Sequence, residues 1–190
     1  MMEYAQAKQQ LDGYRGRIEA LRKEMQQVQA QVEPEPVQDY EFQTLAGPVM
    51  LSELFGDQDD LFVIHNMGTG CTSCTMWADG FNGVYDHLAA RAAFVVSTPN
   101  SPSVQKAFAE SRGWRFPMVS HQGTTFAADM GYFSDGGFQP GVSVFRRRGD
   151  QILRVSDAEL GPLDDFCVVW HFFSMLPEGA GAWRPKYSYA

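Results

Sequence analysis

The sequence predicts an α/β domain with a mixed central sheet, preceded by a long N-terminal helix. Three observations predict it. From residue 40 onward, short apolar runs alternate with segments of helical periodicity, the pattern of strands connected by helices. Towards the C-terminus two strand-like runs flank a tight turn, and such a hairpin makes the sheet mixed rather than parallel. Ahead of both, residues 1–32 carry apolar or small side chains in steps of three and four, the seam of a coiled coil.

The elements follow in order. The seam runs through Tyr4, Ala7, Leu11, Tyr14, Ile18, Leu21, Met25, Val28 and Val32, with Gly13 and Gly16 lying off it. This helix serves either as a dimerising helix or as one folded back on its own domain. Glu33-Pro34-Glu35-Pro36 stops it and reads as a linker. Residues 40–45 read as a strand and 51–55 as a short helix begun near Ser52. Leu61-Phe62-Val63-Ile64-His65 is an apolar run bounded by Asp59-Asp60 and Asn66, which suits a buried central strand. Residues 74–91 read as a helix that Gly80 and Gly83 kink or break, and 93–97 as a second buried strand. Ser101-Pro102 offers a cap and first helical residue, and Gly113 a stop, so 102–112 is predicted helical. A short strand at 117–120 and a short helix at 124–130 follow. Strands at 142–146 and 151–155 flank Arg147-Arg148-Gly149-Asp150, and the helical spacing of Leu163, Phe166, Cys167, Trp170, Phe173 and Leu176 predicts an amphipathic helix over 163–176.

Composition bounds the function. A chain of 190 residues with 44% hydrophobic and 13% aromatic residues has material for one well-filled domain and an appendage, and is not a disordered chain. The domain organisation expected is a helix over 1–32, a linker over 33–36 and a domain over 37–190. Net charge is −8 and falls wholly on the part after residue 32, which opposes nucleic acid and anionic membranes as partners. No apolar run reaches the roughly 20 residues that cross a bilayer. The polar start MMEYAQAKQQ is unlike a secretory signal, so a cytoplasmic protein is expected. Three cysteines are too few for a disulfide framework.

Two of those cysteines form Cys71-Thr72-Ser73-Cys74, just after an apolar strand and opening a helix. A sulfur at a helix N-terminus meets unpaired backbone N–H groups and the positive end of the helix dipole, which favour its thiolate. A second sulfur one turn on can attack a mixed disulfide formed at the first. Cys71 is therefore the candidate nucleophile and Cys74 the resolving thiol. Two other readings stay open: half of a zinc site, although no second Cys-x-x-Cys or paired His motif exists, and an inert pair of small core residues. Cys167 lies on the apolar face of the last helix and reads as buried and unreactive. Asp79 and Asp86 would raise the Cys71 pKa if they faced it.

The unit from 61 to 74 resembles the strand–Cys-x-x-Cys–helix unit of the thioredoxin superfamily. More specifically, His65-Asn66-Met67, Trp77-Ala78-Asp79-Gly80-Phe81, Arg112-Gly113-Trp114, Asp129-Met130-Gly131 and Pro140-Gly141-Val142-Ser143-Val144-Phe145 resemble a bacterial thioredoxin-like family catalogued as domain of unknown function 899. The resemblance runs from about residue 37 to the C-terminus. It implies a thioredoxin-like three-layer sandwich, with Cys71 and Cys74 as the redox pair. It also implies that His65, six residues before Cys71, stands where thioredoxin keeps a buried acid, and could deprotonate Cys74. Pro140 matches the proline, cis in thioredoxin, that faces the redox pair, and Pro140, Thr72, Ser73 and Trp77 become the candidate substrate-binding residues. Departures include Gly70 where thioredoxin has Trp and Thr72-Ser73 where it has Gly-Pro. Residues 40–55 and Phe116-Pro117-Met118-Val119-Ser120 are similar to peroxiredoxin segments, but the peroxidatic Pro-Thr-x-x-Cys is absent.

Three functions are expected to compete. One is a thiol–disulfide oxidoreductase acting on a disulfide-containing substrate or a thiol reductant. The second is a thiol peroxidase using Cys71. The third is a non-catalytic interaction module that forms a homodimer through its N-terminal helix. None of them calls for a cofactor or a metal.

Overall fold

The computed structural model describes residues 1–189. The chain divides into two compact units, residues 1–34 and residue 35 onward. The first is essentially one helix, α1 (Tyr4–Gln29), none of whose residues is buried. Gly13 and Gly16 leave open space where a Cβ would stand, so they cost helix propensity without marking a close approach.

The second unit is built on one eight-stranded mixed sheet. Its strands are β1 (Glu35–Val37), β2 (Glu41–Thr44), β3 (Gly47–Met50), β4 (Asp60–His65), β5 (Ala93–Thr98), β6 (Met118–Ser120), β9 (Gly141–Arg148) and β10 (Gln151–Glu159), with a separate two-residue ribbon of β7 (Phe133–Ser134) and β8 (Gly137–Phe138). The order across the sheet is β1-β10-β9-β4-β5-β6-β2-β3. At its centre β4 runs parallel to β5 and antiparallel to β9. The helices are α2 (Thr72–Ala89), α3 (Pro102–Arg112), α4 (Phe126–Asp129) and α5 (Val168–Phe173), and Leu51–Phe55 forms a 3₁₀ turn.

The core lies on both faces of the sheet, because successive strand residues point to opposite sides. Leu61 and Val63 of β4 pack with Phe42, Leu51, Phe55, Phe126 and Phe145 on one face. Ile64 packs on the other with Cys74, Trp77, Ala78 and Phe81 of α2 and with Trp170 of α5. Helical layers on both faces of a mixed sheet make the three-layer sandwich that the sequence predicts.

Several elements differ from expectation, each for a visible reason. Glu35 and Pro36, read as linker, open β1, which pairs with β10 at the sheet edge, where proline costs no ladder bond. The single strand at 40–45 is a hairpin, β2–β3, and Pro48 again sits on an edge. Helix α2 runs unbroken past Gly80 and Gly83; both are exposed, and the buried opposite face holds the helix. The hairpin strands β9 and β10 are longer than predicted, leaving Gly149-Asp150 as the turn. The last helix is only six residues long. Leu163 has φ of 70°, and the Asp164 carboxylate accepts from the N–H groups of Gly161, Phe166 and Cys167, fixing a turn where periodicity predicted helix. The ribbon β7–β8 turns at Asp135-Gly136, both at positive φ, the backbone of a tight hairpin turn.

Candidate redox site

The loop from β4 to α2 presents the two cysteines. Asn66 donates its N–H to the Ser97 carbonyl of β5, and its side-chain oxygen accepts from the N–H of Gly68 at 2.8 Å. Gly68 has φ of +98°, and a Cβ there would stand 2.5 Å from the Asn100 side-chain oxygen, so only glycine fits. That oxygen accepts from the Thr69 N–H at 2.9 Å. The Tyr187 hydroxyl donates to the Thr69 carbonyl at 2.9 Å. Cys71 donates its N–H to the Gly68 carbonyl, and the helix starts.

Cys71 is the N-cap of α2, with extended φ and ψ of −104° and 108°. Its sulfur accepts from the N–H of Cys74 at 3.0 Å, the bond that a capping side chain makes at a helix start. The Thr75 hydroxyl donates to the Cys71 carbonyl at 2.9 Å. Cys71 is half-buried and Cys74 is 2% exposed, and both are free thiols.

The two thiols titrate in opposite directions. The Cys74 side chain hydrogen-bonds the Cys71 sulfur and, with the N–H groups of Cys74 and Ser73, holds its pKa down at about 7 against the opposing effect of burial. Cys74 is pushed far above the usual thiol range, first by that same bond to Cys71, then by burial and by the neighbouring negative charge. Near pH 7 about half of the Cys71 sulfur is thiolate, half-buried at the helix start, and Cys74 is a buried thiol that donates to it.

Thr72 and Ser73 are half-buried in the first turn of α2, beside Cys71. The other predicted residues lie elsewhere. His65 is 2% exposed and belongs to the opposite face of the sheet. Its ring stacks on Tyr132 at 3.9 Å and on Phe126 at 5.2 Å, and its Nε2 meets the Ser143 hydroxyl at 2.9 Å. It shares the face of Leu61 and Val63, whereas Ile64 shares that of Cys74. A base on the far face of the sheet does not reach the Cys74 thiol, so the expected proton relay is not formed. Burial also drives the His65 pKa down to about 3.

Trp77 is not a substrate-facing residue either. It is 4% exposed, and its indole N–H donates to Asp164 at 2.8 Å, tying α2 to the turn before α5. Pro140 is half-buried, and among the described residues no peptide bond is cis. Its carbonyl accepts from the Leu160 N–H, so that acceptor is already used within the domain.

Asp79 accepts from Arg112 and from the Trp114 indole N–H, and Asp86 pairs with Arg115, so both carboxylates are held in ion pairs. The motif residues Asp79, Arg112 and Trp114 are thus one structural cluster. Arg112 also donates to the Tyr187 carbonyl, bringing the tail towards the redox loop. Sequence reasoning missed Asn100, Thr75 and Tyr187. Asn66 was visible in its motif, but no local pattern marks the other three. Cys167 is buried, as expected. Among the described residues no three His, Cys, Asp or Glu side chains gather as a metal site would require.

A mixed sheet between helical layers, with a Cys-x-x-Cys at the start of the helix after its central strand, defines a thioredoxin-fold dithiol protein. The chain belongs to the family described as "Bacterial protein of unknown function (DUF899)", whose pattern matches residues 3–189. Curated proteins provide no match. Peroxiredoxins are among the similar solved structures. Peroxidoxin BcpB from Mycobacterium tuberculosis shares 24% identity at a TM-score of 0.54, over 66% of this chain and 84% of that one. Reduced Prx3 from Vibrio vulnificus shares 15% at 0.57, over 70% and 89%. The Xanthomonas campestris bacterioferritin comigratory protein, described for alkyl peroxide reduction, shares 14% at 0.53, over 63% and 80%. At these identities the likeness is one of fold.

Proposed function

We propose that the protein is a thiol–disulfide oxidoreductase in which Cys71 attacks and Cys74 resolves. The observation that carries this reading is the Cys71 sulfur at the N-cap of α2, lowered to a pKa of about 7, with the protonated Cys74 beneath it. The Cys71 thiolate attacks one sulfur of a substrate disulfide, forming a mixed disulfide and expelling the other sulfur as a thiolate that takes a proton from water. Once Cys71 is capped, its negative charge and its bond to the Cys74 thiol are gone. Two of the three causes that hold the Cys74 pKa up therefore vanish. Cys74 then loses its proton to solvent and attacks the Cys71 sulfur, releasing the second substrate thiol. The dithiol gives up two electrons and becomes the Cys71–Cys74 disulfide, which a thiol reductant resets. Thr72 and Ser73 flank the reacting sulfur and contact the substrate.

The test is reduction of a small-molecule disulfide by purified protein. Cys71→Ser is expected to abolish it, and equal activity in that variant would sink the reading. A second reading, a thiol peroxidase, is favoured by the peroxiredoxin fold neighbours. There Cys71 attacks the peroxide oxygen, an alcohol or water leaves, and the sulfenic acid on Cys71 condenses with Cys74 to give the same disulfide and water. Peroxide consumption with a dimedone adduct on Cys71 selects this reading. Absence of both activities selects a non-catalytic module. Among the described residues no helix is long and apolar enough to cross a membrane, and free thiols in the working state favour a reducing compartment such as the cytoplasm.

A further inference from the structure

We propose that α1 pairs in parallel with α1 of a second copy, as a two-stranded coiled coil. The helix is 26 residues long, and none of them is buried. Most helical stability in proteins comes from packing an amphipathic face rather than from propensity, and two interior glycines weaken the propensity of this helix further. A continuous helix with these handicaps needs a covered face. The face is defined: Leu11, Ile18 and Met25 take the first seam position of successive heptads, and Tyr14, Leu21 and Val28 the second. Each is about half exposed or more. Within the helix the seam runs from Tyr4 to Val28, about three and a half heptads, a length over which a sustained repeat specifies a supercoil.

The rest of the helix respects that seam. Gly13 and Gly16 fall on its outer side with open space around them. The intrahelical pairs Lys8–Asp12–Arg15 and Glu19–Lys23 also lie off the apolar positions. Charge selects the direction. Lys8, Arg15 and Arg22 occupy the same flanking position of successive heptads. An antiparallel pair would set these three cations against the same three of the partner. On each side of a parallel pair Glu3 faces Lys8, Gln10 faces Arg15 and Glu24 faces Gln29, and the Arg17–Arg22 contact is the repulsive one. The occupant of the seam is thus a second copy of this chain, in the same direction and register.

Sedimentation equilibrium of the full chain at tens of micromolar tests this. The expected result is a dimer for the wild type and at least a hundredfold weaker association for Ile18→Asp/Leu21→Asp with the sheet domain's circular dichroism retained. Gly13→Ala/Gly16→Ala, which favours the helix without touching the seam, is expected to tighten the dimer tenfold or more. In Val28→Cys, oxidation is expected to give a disulfide joining the two chains at position 28, mapped by mass spectrometry, because only a parallel seam sets that position against itself. A monomeric wild type, a dimer indifferent to the seam substitutions, or a dimer that fails to cross-link at position 28 overturns the proposal.

Discussion

Replacing Cys74 with alanine isolates the bond that most lowers the Cys71 pKa. In the wild type Cys71 titrates at about 7, with hydrogen bonding from the Cys74 side chain as the largest cause. The substitution removes that donor but keeps the N–H groups of Cys74 and Ser73, since both belong to the backbone of α2. Burial of the sulfur, which opposes the shift, also remains. The Cys71 midpoint should therefore rise by about one unit, towards the ordinary thiol value near 8.5. At pH 7 the thiolate fraction then falls from about half to about a tenth. Intrinsic nucleophilicity rises roughly threefold per unit of pKa, because the Brønsted slope is about 0.4–0.5. The two effects nearly cancel at pH 7, so a single-pH rate is a poor assay. The full pH profile of iodoacetamide labelling, read at Cys71 by mass spectrometry, separates them. The variant should label about twofold more slowly than wild type at pH 7 and about threefold faster at pH 9.5. An unchanged midpoint, or one that moves down, would refute the role assigned to the Cys74 thiol.

Other substitutions test the surrounding frame. His65 is buried and titrates at about 3 against an ordinary 6.5. Because its folded pKa is depressed, its stabilisation is present above pH 6.5 and is lost as pH falls from there towards 3. Roughly 2–3 kcal/mol should disappear by pH 4.5, and urea unfolding should show a shallower fall for His65→Gln, where only the other groups titrate. Asp164→Ala deprives the Trp77 indole and three backbone N–H groups of their acceptor. It should lower the unfolding free energy by about 2–3 kcal/mol, with a red shift in tryptophan emission. Gly80→Ala and Gly83→Ala meet no atom within 4 Å, and each should stabilise α2 by about 0.5–1 kcal/mol, read as a rise in the thermal midpoint.

What the sequence made legible was local. An apolar run followed at once by Cys-x-x-Cys specifies strand, loop and helix start within fourteen residues, and the thiol pair stands where that pattern puts it. Residues 163–176 misled because periodicity does not register a side chain such as Asp164, which satisfies backbone N–H groups better outside a helix than inside one. The direction of His65 was readable from alternation, since it shares parity with Leu61 and Val63 and not with Ile64. The position-by-position likeness to thioredoxin pointed the other way, and the pleat decides the matter. Asn100 and Tyr187, 31 and 118 residues from Thr69, reach the redox loop only through the tertiary fold. No spacing rule could have found them.

The order of attack is tested most directly by reaction with 5,5′-dithiobis(2-nitrobenzoate) followed by intact and peptide mass spectrometry. Wild-type protein should release two equivalents of thionitrobenzoate for each pair and end with a Cys71–Cys74 disulfide and no adduct. Cys74→Ser should release one equivalent and keep a stable adduct on Cys71. A persistent adduct on the wild-type pair, or an adduct that forms on Cys74 while Cys71 stays free, would contradict the assignment of Cys71 as nucleophile and Cys74 as resolving thiol.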